Sequence, residues 1–362
     1  MALPARPAGA APTLADVAHL AGVSTMAVSS VLNGARTSAR VSARTRERVL
    51  AAAQALGYRA NATARALAMR RTNAIGLLAN FAGDKPNVYF LELFAGVMQG
   101  AACAGQSTTV FTLGDWGKEA RQRIPALCDG RVDGMVLLGP RLHEDGSSWL
   151  PTHTPLVSVH ANLRLSGVVN IDSDEEAGAF EMVRRLLTHG HRRILHVGGP
   201  EGLAGADKRI AGYLRAHEVM GVEPAPGHLV RSPEYSAAVA REVLNGWLDC
   251  HRGEPLPQAI FGANDAIALG CIDILQARAL RVPADVSVVG FDDTLLARTT
   301  RLATVRQPLH AMGRRAVELL IERIESRRRG DASSEATNIV FPTELVDGVT
   351  LAEARALPIA IS

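Results

Sequence analysis

The chain has 362 residues, of which 47% are hydrophobic, with 33 Gly and 18 Pro. This globular composition suits two or three domains and excludes disorder throughout. No stretch reaches the roughly 18 uninterrupted apolar residues of a membrane span. Residues 1–12, MALPARPAGAAP, lack an apolar core of signal-peptide length and read as a disordered tail, so a cytoplasmic protein is expected. The net charge of +3 conceals a division: residues 1–71 carry ten arginines against Asp16 and Glu47, and the rest is net acidic. A basic head on a mildly acidic body points to a polyanionic partner for the head. Cys103, Cys128, Cys250 and Cys271 lie far apart without a CxxC pair. They read as buried thiols, not as a disulfide framework or zinc site.

Thr13-Leu14-Ala15-Asp16 fits a capping box, in which a hydroxyl and a carboxylate satisfy the first amides of a helix. Leu14, Val17, Ala18 and Ala21 then share one apolar helical face. Gly22 permits a tight turn, and Ser24 caps a second helix over about 25–32, with Val23 and Val28 as a hydrophobic staple. That helix buries Val28, Val31 and Leu32 and presents Thr25, Met26, Ser29 and Ser30, closing at Asn33-Gly34. A third helix, over about 43–56, turns Val49, Ala53 and Leu56 inward and stops at Gly57. Helices joined by a glycine turn and braced by a third form a helix-turn-helix, which lays its second helix in the DNA major groove. A plain three-helix bundle is the alternative.

Residues 60–71, ANATARALAMRR, follow as a hinge or linker. Asn61 caps a helix of about nine residues, too short to be stable alone. Leu67, set among Arg65, Arg70 and Arg71, has the character of a wedge between base steps in a minor groove. Otherwise it packs on the body.

From Thr72 onward, apolar runs alternate with helical stretches. Strands are expected at 74–79, 107–113, 133–138, 155–159, 194–198, 258–262 and 285–291, and helices at 88–104, 175–189, 206–220 and 264–279. Such alternation predicts two α/β lobes with parallel sheets. Ligands of such sheets bind beyond the carboxyl ends of the strands. His160, Gly198-Gly199, Asn264, Asp265, Asp292 and Asp293 occupy such places, with Arg209 in a following helix. Amide, carboxylate and guanidinium groups meeting in one cleft suit a polar small molecule. Read singly, each residue is as well a loop cap or a surface charge. His189, His191 and His196 straddle a helix-to-strand turn without metal-ligand spacing. GGPEG is a phosphate cradle or a close turn, and no catalytic motif is present. ESRRRGDASSEA (325–336) reads as a solvated loop crossing between lobes.

Two long stretches carry a resemblance. TLADVAHLAGVSTMAVSSVLNG with RVSARTRERVLAAAQALGYRANATARAL resembles the head and hinge of the lactose-repressor (LacI/GalR) family of bacterial transcription regulators. GHRRILHVGGPEG, KRIAGY, FGANDAIALG, RVPADVSVVGFDD and LATVRQPLHAMGRRAVELL resemble that family's periplasmic-binding-protein-like body. The likeness runs through nearly all of positions 13–350. It implies that Thr25, Met26, Ser29, Ser30 and Asn33 face the major groove. Asn61, Ala64, Arg65 and Leu67 would serve the hinge and minor groove, with Leu67 as the lever of a homodimer. His160, Arg209, Tyr235, Asn264 and Asp292 would hold a small-molecule effector, which in many relatives is a sugar, with Tyr235 stacking on it.

There are departures. Ser30 stands where many relatives carry Arg or His, and Ala60 where the hinge usually has Pro. His160 stands where many sugar binders have Asp, and Ala161 where many have Arg.

The expected organisation is a tail at 1–12, a helix-turn-helix domain at 13–59 and a hinge at 60–71. A two-lobed effector-binding and dimerisation body follows at 72–355, one lobe being 72–171 with 306–332, the other 172–302 with 337–355. No heptad follows Thr350, so a dimer is expected. The expected function is a repressor that binds a near-palindromic operator and is switched by its effector, without cofactor, metal or membrane partner. The alternatives are a stand-alone sensor, a solute-binding protein, or a sugar-modifying enzyme using Asp292 or Asp265.

Overall fold

The computed structural model describes residues 11–33, 41–59, 61–69, 71–80, 88–331, 338–356 and 359–361. The chain forms two compact units: Met1–Ala74 with Asp129–Asp133, and Ile75–Cys128 with Gly134–Ser362.

In the first unit, α1 (Leu14–Ala21) starts on the expected capping box. The Thr13 amide donates to Asp16 Oδ2 at 2.7 Å, and the Asp16 amide donates back to Thr13 Oγ1 at 3.3 Å. Gly22, at φ 61°, ends the helix in the left-handed region that glycine adopts without strain. Helices α2 (Thr25–Asn33) and α3 (Ala43–Ala55) follow. Ser24 Oγ and Ser42 Oγ accept from the amides of Ala27 and Thr45, each at 3.2 Å. Val17, Val28 and Val49, one from each helix, are completely buried together, with Val23 packed against them. Arg48 of α3 donates to the carbonyls of Ala21 and Gly22, so this arginine braces the turn.

Helix α4 (Ala62–Met69) begins at Asn61, whose Oδ1 accepts from the Ala64 amide at 3.2 Å. Ala60, Arg70 and the side chain of Leu67 lie outside the described residues. Beyond α4, the Asp133 carboxylate accepts two consecutive backbone amides, from Thr72 at 2.9 Å and Asn73 at 3.0 Å.

The second unit runs β1 (Ala74–Asn80), α5 (Val88–Cys103), β2 (Ser107–Leu113), α6 (Trp116–Leu127), β3 (Gly134–Leu138), α7 (Gly146–Trp149), β4 (Leu156–Val159) and β5 (Val169–Ser173). It continues with α8 (Glu175–Thr188), β6 (Ile194–Gly198), α9 (Ala204–Val219), β7 (Leu229–Arg231), α10 (Ala237–Cys250), β8 (Ala259–Gly262), α11 (Asp265–Ala277), β9 (Ser287–Val289), α12 (Leu295–Thr300) and β10 (Thr304–Arg306). Helix α13 (Leu309–Arg329), β11 (Ile339–Phe341) and β12 (Glu344–Val346) complete it.

The strands form one sheet ordered β11-β5-β4-β3-β1-β2, a second ordered β7-β6-β8-β9, and a β10-β12 pair. Pairing is parallel from β1 through β3, β4 and β5 to β11, and throughout the second sheet. The antiparallel β10-β12 pair sits where the chain passes between the lobes. Each sheet packs its apolar side chains against helices: α5 and α13 cover the first, α10 and α11 the second. No single helix among the described residues is long and apolar enough to cross a membrane.

Three expectations differ from what is found. The segment 325–336 is not a loop throughout, because α13 continues to Arg329 and ends on Gly330 at φ 78°. Ile339–Phe341, expected in the second lobe, pairs with β5 at the edge of the first sheet, which places the crossing after Phe341. Cys103 and Cys250 are exposed at the last turns of α5 and α10, and only Cys128 and Cys271 are buried.

Candidate functional site

On the head, α2 carries Thr25 and Met26 exposed, Met26 by 68%, with Ser29 and Ser30 half-buried beside them. A methionine this exposed in a small head adds nothing to its core. Asn33 ends α2, and its side chain lies outside the described residues. In α4, Ala64 and Arg65 are exposed, as is Asn61 at its cap.

In the body, the strand ends and helix starts of both lobes bring polar groups to one place. His160 follows β4 with φ 51°, a left-handed conformation that turns its ring out of the strand direction. Its Nδ1 pairs with the Tyr89 hydroxyl of α5, and its Nε2 lies 3.2 Å from Ser173 Oγ at the end of β5. Ser173 Oγ donates to the Gln307 side-chain carbonyl, and Gln307 Nε2 donates to Asp292 Oδ1 at 2.6 Å. Asp292 Oδ1 is 3.9 Å from Arg209 Nη2, which also donates to Glu175 Oε1 at 2.6 Å. Arg209 Nη1 donates to the Ala263 carbonyl, again at 2.6 Å.

The Arg209 guanidinium lies 4.3 Å over the ring of Phe291 and 5.7 Å from that of Tyr235. One chain of polar contacts thus links His160, Asp292 and Arg209. Tyr235 packs against Gly199, where a Cβ would stand 2.5 Å from the Tyr235 hydroxyl. The second glycine of GGPEG therefore makes room for an aromatic ring.

Asn264 uses its Oδ1 to cap α11, accepting from the Ile267 amide at 2.9 Å. Asp265 is pinned by the Thr294 amide at 2.7 Å, the Thr294 hydroxyl at 2.9 Å and the Thr304 hydroxyl at 2.6 Å. Such a carboxylate holds loops together, which argues against a catalytic role for it. Burial still pushes its pKa up to about 6. His196 is stacked between Tyr213 and Phe261, and His191 and His189 bond the carbonyls of Ala352 and Arg185.

Electrostatics follows from burial. Asp292 is pushed well above the carboxylate range by desolvation, against the pull of Arg209. Burial also works against the charge of Glu175, but Arg209, His160 and Lys208 outweigh it and hold this carboxyl below its ordinary value. Desolvation lowers His160, favouring the neutral ring, and raises Tyr235 to about 12. Both groups stay uncharged near neutrality.

Tyr89, Glu175 and Gln307 complete this arrangement and were not among the residues singled out by sequence. Glu175 resembles any acidic residue in the first turn of a helix, and Gln307 lies in a linker without a motif. The position of Tyr89 near the start of α5 offered only weak cues.

Comparison with known proteins decides the family. Residues 13–61 match the model of the bacterial regulatory proteins of the lacI family, and residues 183–351 match that of the periplasmic binding protein-like domain. The chain is 32% identical over 329 residues to the HTH-type transcriptional repressor PurR of Vibrio campbellii, covering 87% of this chain and 92% of that protein. The chain belongs to the lacI family of bacterial regulatory proteins. The ribose operon repressor of Haemophilus influenzae is 31% identical over 317 residues, with coverage of 87% and 92%. Among solved structures, the Lac repressor dimer bound to operator and the anti-inducer ONPF is similar with a TM-score of 0.79 and 28% identity, covering 95% of this chain and 100% of that one. The complex of the transcriptional regulator CelR with cellobiose matches at TM-score 0.66 and 29% identity, over 94% and 99% of the two chains. This lacI-family chain is accordingly a DNA-binding transcriptional regulator with a helix-turn-helix head and a ligand-binding body of parallel sheets.

Proposed function

We propose that the protein is a repressor that binds a near-palindromic operator as a homodimer and is switched by a small polar molecule in the cleft between its lobes. The observation that carries this reading is one chain holding both a head with Met26 exposed on its second helix and a body whose half-buried His160 and buried Asp292 and Arg209 join in one polar cluster.

Each head reads one half-site through Thr25, Met26, Ser29, Ser30 and Asn33, because protein two-fold symmetry is mirrored in the operator. Paired α4 helices present Asn61, Ala64, Arg65 and Leu67 to the minor groove at its centre. His160, Arg209, Tyr235, Asn264 and Asp292 receive the effector, with Tyr89, Glu175 and Gln307 as further candidates. Effector binding changes the lobe angle and shifts operator affinity through a coupling free energy. The ribose operon repressor among the relatives and the CelR–cellobiose complex among the solved structures support a polar effector, a sugar or its derivative. The cleft acts as a sensor, so the ligand leaves unchanged, and the protein works beside the chromosome in the cytoplasm. The organisation that follows is a head to residue 59, a hinge at 60–71 and a two-lobed body.

The test is selection of binding sites from random DNA by the purified protein, with and without a small-molecule extract of the source cells. Enrichment of a palindrome supports the reading. If only the treated run enriches, the effector is a corepressor; if only the untreated run does, an inducer. No enrichment in either run overturns it.

A further inference from the structure

Inside the cleft, the guanidinium of Arg209 is paired on both of its terminal nitrogens. A lone buried guanidinium in a ligand site attracts carboxylates and phosphates, which it holds with paired, charge-assisted hydrogen bonds. Here that capacity is already taken up. Glu175 Oε1 accepts from Nη2 at 2.6 Å, the Ala263 carbonyl takes Nη1 at 2.6 Å, and Asp292 Oδ1 stands 3.9 Å from Nη2. Glu175 and Arg209 are 4% and 5% exposed, so their attraction is little screened by solvent.

The surrounding charge points the same way. Asp172, Glu175 and Asp292 are buried here with Arg209. Lys208, half-buried, is engaged at 3.6 Å by Asp172 and at 4.0 Å by Glu175. Arg141, whose field reaches Tyr235, is exposed. An anion entering the cleft would have to displace Glu175 from Arg209 and leave this buried carboxylate only the Lys208 ammonium at 4.0 Å, which is unfavourable. A hydroxyl or an ammonium group instead donates to the oxygens of Glu175, which Arg209 holds in its charged form. The only buried Arg209 nitrogen without a partner is Nε, a single donor that suits a neutral acceptor better than a bidentate anion.

We infer that Glu175 is a specificity-determining residue that closes Arg209 to anions, so that the cleft takes effectors without net negative charge, either uncharged polyols or amine-bearing ones, and rejects phosphorylated and carboxylated ones. This inference rests on the proposed effector role of the cleft. Glu175→Gln keeps the shape while removing the competing charge.

Inorganic phosphate is the probe, titrated calorimetrically into the full-length protein without DNA. The expected result is phosphate binding about tenfold or more tighter to Glu175→Gln than to the unaltered protein, with the gain lost in the Glu175→Gln/Arg209→Gln double variant. Should Glu175→Gln fail to fold by its thermal transition, Glu175→Ala is the second variant, and it should show a gain of the same sign. Equal phosphate affinity in variant and unaltered protein, including no binding to either, overturns the inference, as does a gain that survives loss of Arg209. Operator release by the cell extract, measured on the unaltered protein, reports on the effector reading separately, so the two can fail independently.

Discussion

The side-chain amide of Gln307 donates to Oδ1 of Asp292 at 2.6 Å, and both residues are buried. Gln307 lies between β10 and α13, on one of the strands of chain that pass between the lobes, so this bond ties a crossing segment to a cleft carboxylate. Gln307→Ala removes the donor and leaves both Asp292 and the Ser173 hydroxyl short of a partner. Stability of the body should fall by about 1–3 kcal/mol, the cost of a buried polar group left unsatisfied. Urea unfolding followed by circular dichroism measures it, and an unchanged midpoint would show that the bond contributes nothing net.

Gly199 allows a second test of the cleft. A Cβ there would fall 2.5 Å from the Tyr235 hydroxyl and 2.6 Å from its ring carbons, so Gly199→Ala must displace the tyrosine. The variant should keep its operator affinity, because the head is untouched, but respond to the extract about tenfold less sensitively. Equal sensitivity of the two proteins would remove Tyr235 from the list of effector contacts.

The legible parts of the fold were those with a simple apolar period. STTVFTL and ILHVG were read at their observed bounds, Ser107–Leu113 and Ile194–Gly198. VNIDS was not read as a strand because Asn170, Asp172 and Ser173 interrupt its apolar run, although all of β5 is buried. Those side chains are tolerated because each finds a partner: Ser158 donates to Asn170, Asn170 to Asp172, and Ser173 to Gln307. A sequence pattern does not display partners this distant. Four of the five three-residue strands, β7, β10, β11 and β12, carry too little pattern to identify, whereas β9 lies within the apolar run 285–291. In the cleft, residues after strands were legible from the strand-end rule, whereas Glu175 and Gln307 gain meaning only from their contact with Arg209 and Asp292.

Acid should destabilise the body through its interior histidines. Burial lowers His191 and His196 to about 4 from an ordinary value of 6.5, so between those pH values the unfolded chain binds more protons than the folded one. Stability therefore rises as pH goes from 4 to 6.5, each histidine contributing about 3 kcal/mol over the window. Asp265 acts in the opposite sense, since its pKa is raised from 3.8 to about 6 and the folded state there holds the extra proton. Asp292, also raised by burial, acts in the same sense as Asp265, while the lowered His217 and His228 act with His191 and His196. His196→Gln should flatten the slope of stability against pH, and Asp265→Asn should steepen it. Urea titrations at pH 4.5, 5.5 and 6.5 separate these outcomes, and parallel slopes for all three proteins would mean that neither group titrates as the burial implies.

In the head, stability and DNA reading should separate by residue. Thr13→Ala removes the capping box of α1 and should cost about 1 kcal/mol of stability. Met26→Ala, at a site 68% exposed, should leave stability within about 0.5 kcal/mol while lowering operator affinity. Thermal unfolding paired with a fluorescence-anisotropy titration of the selected operator distinguishes the two. A Met26→Ala protein with unaltered affinity would place the reading face of α2 elsewhere.

The hinge offers a contrast between apolar and electrostatic contacts. Leu67 and Arg65 both belong to α4, two positions apart, and they should weaken operator binding in different ways. An apolar wedge contributes through unstacking and bending of the duplex, so Leu67→Ala should lower affinity without changing its dependence on salt. An arginine at a phosphate releases counterions, so Arg65→Ala should reduce the slope of log affinity against log salt by about 0.9. Anisotropy titrations at several salt concentrations give affinity and slope for each protein. A Leu67→Ala protein that binds the operator as tightly as the unaltered one would eliminate the lever, and a change in its salt slope would mean that the substitution disturbs phosphate contacts instead.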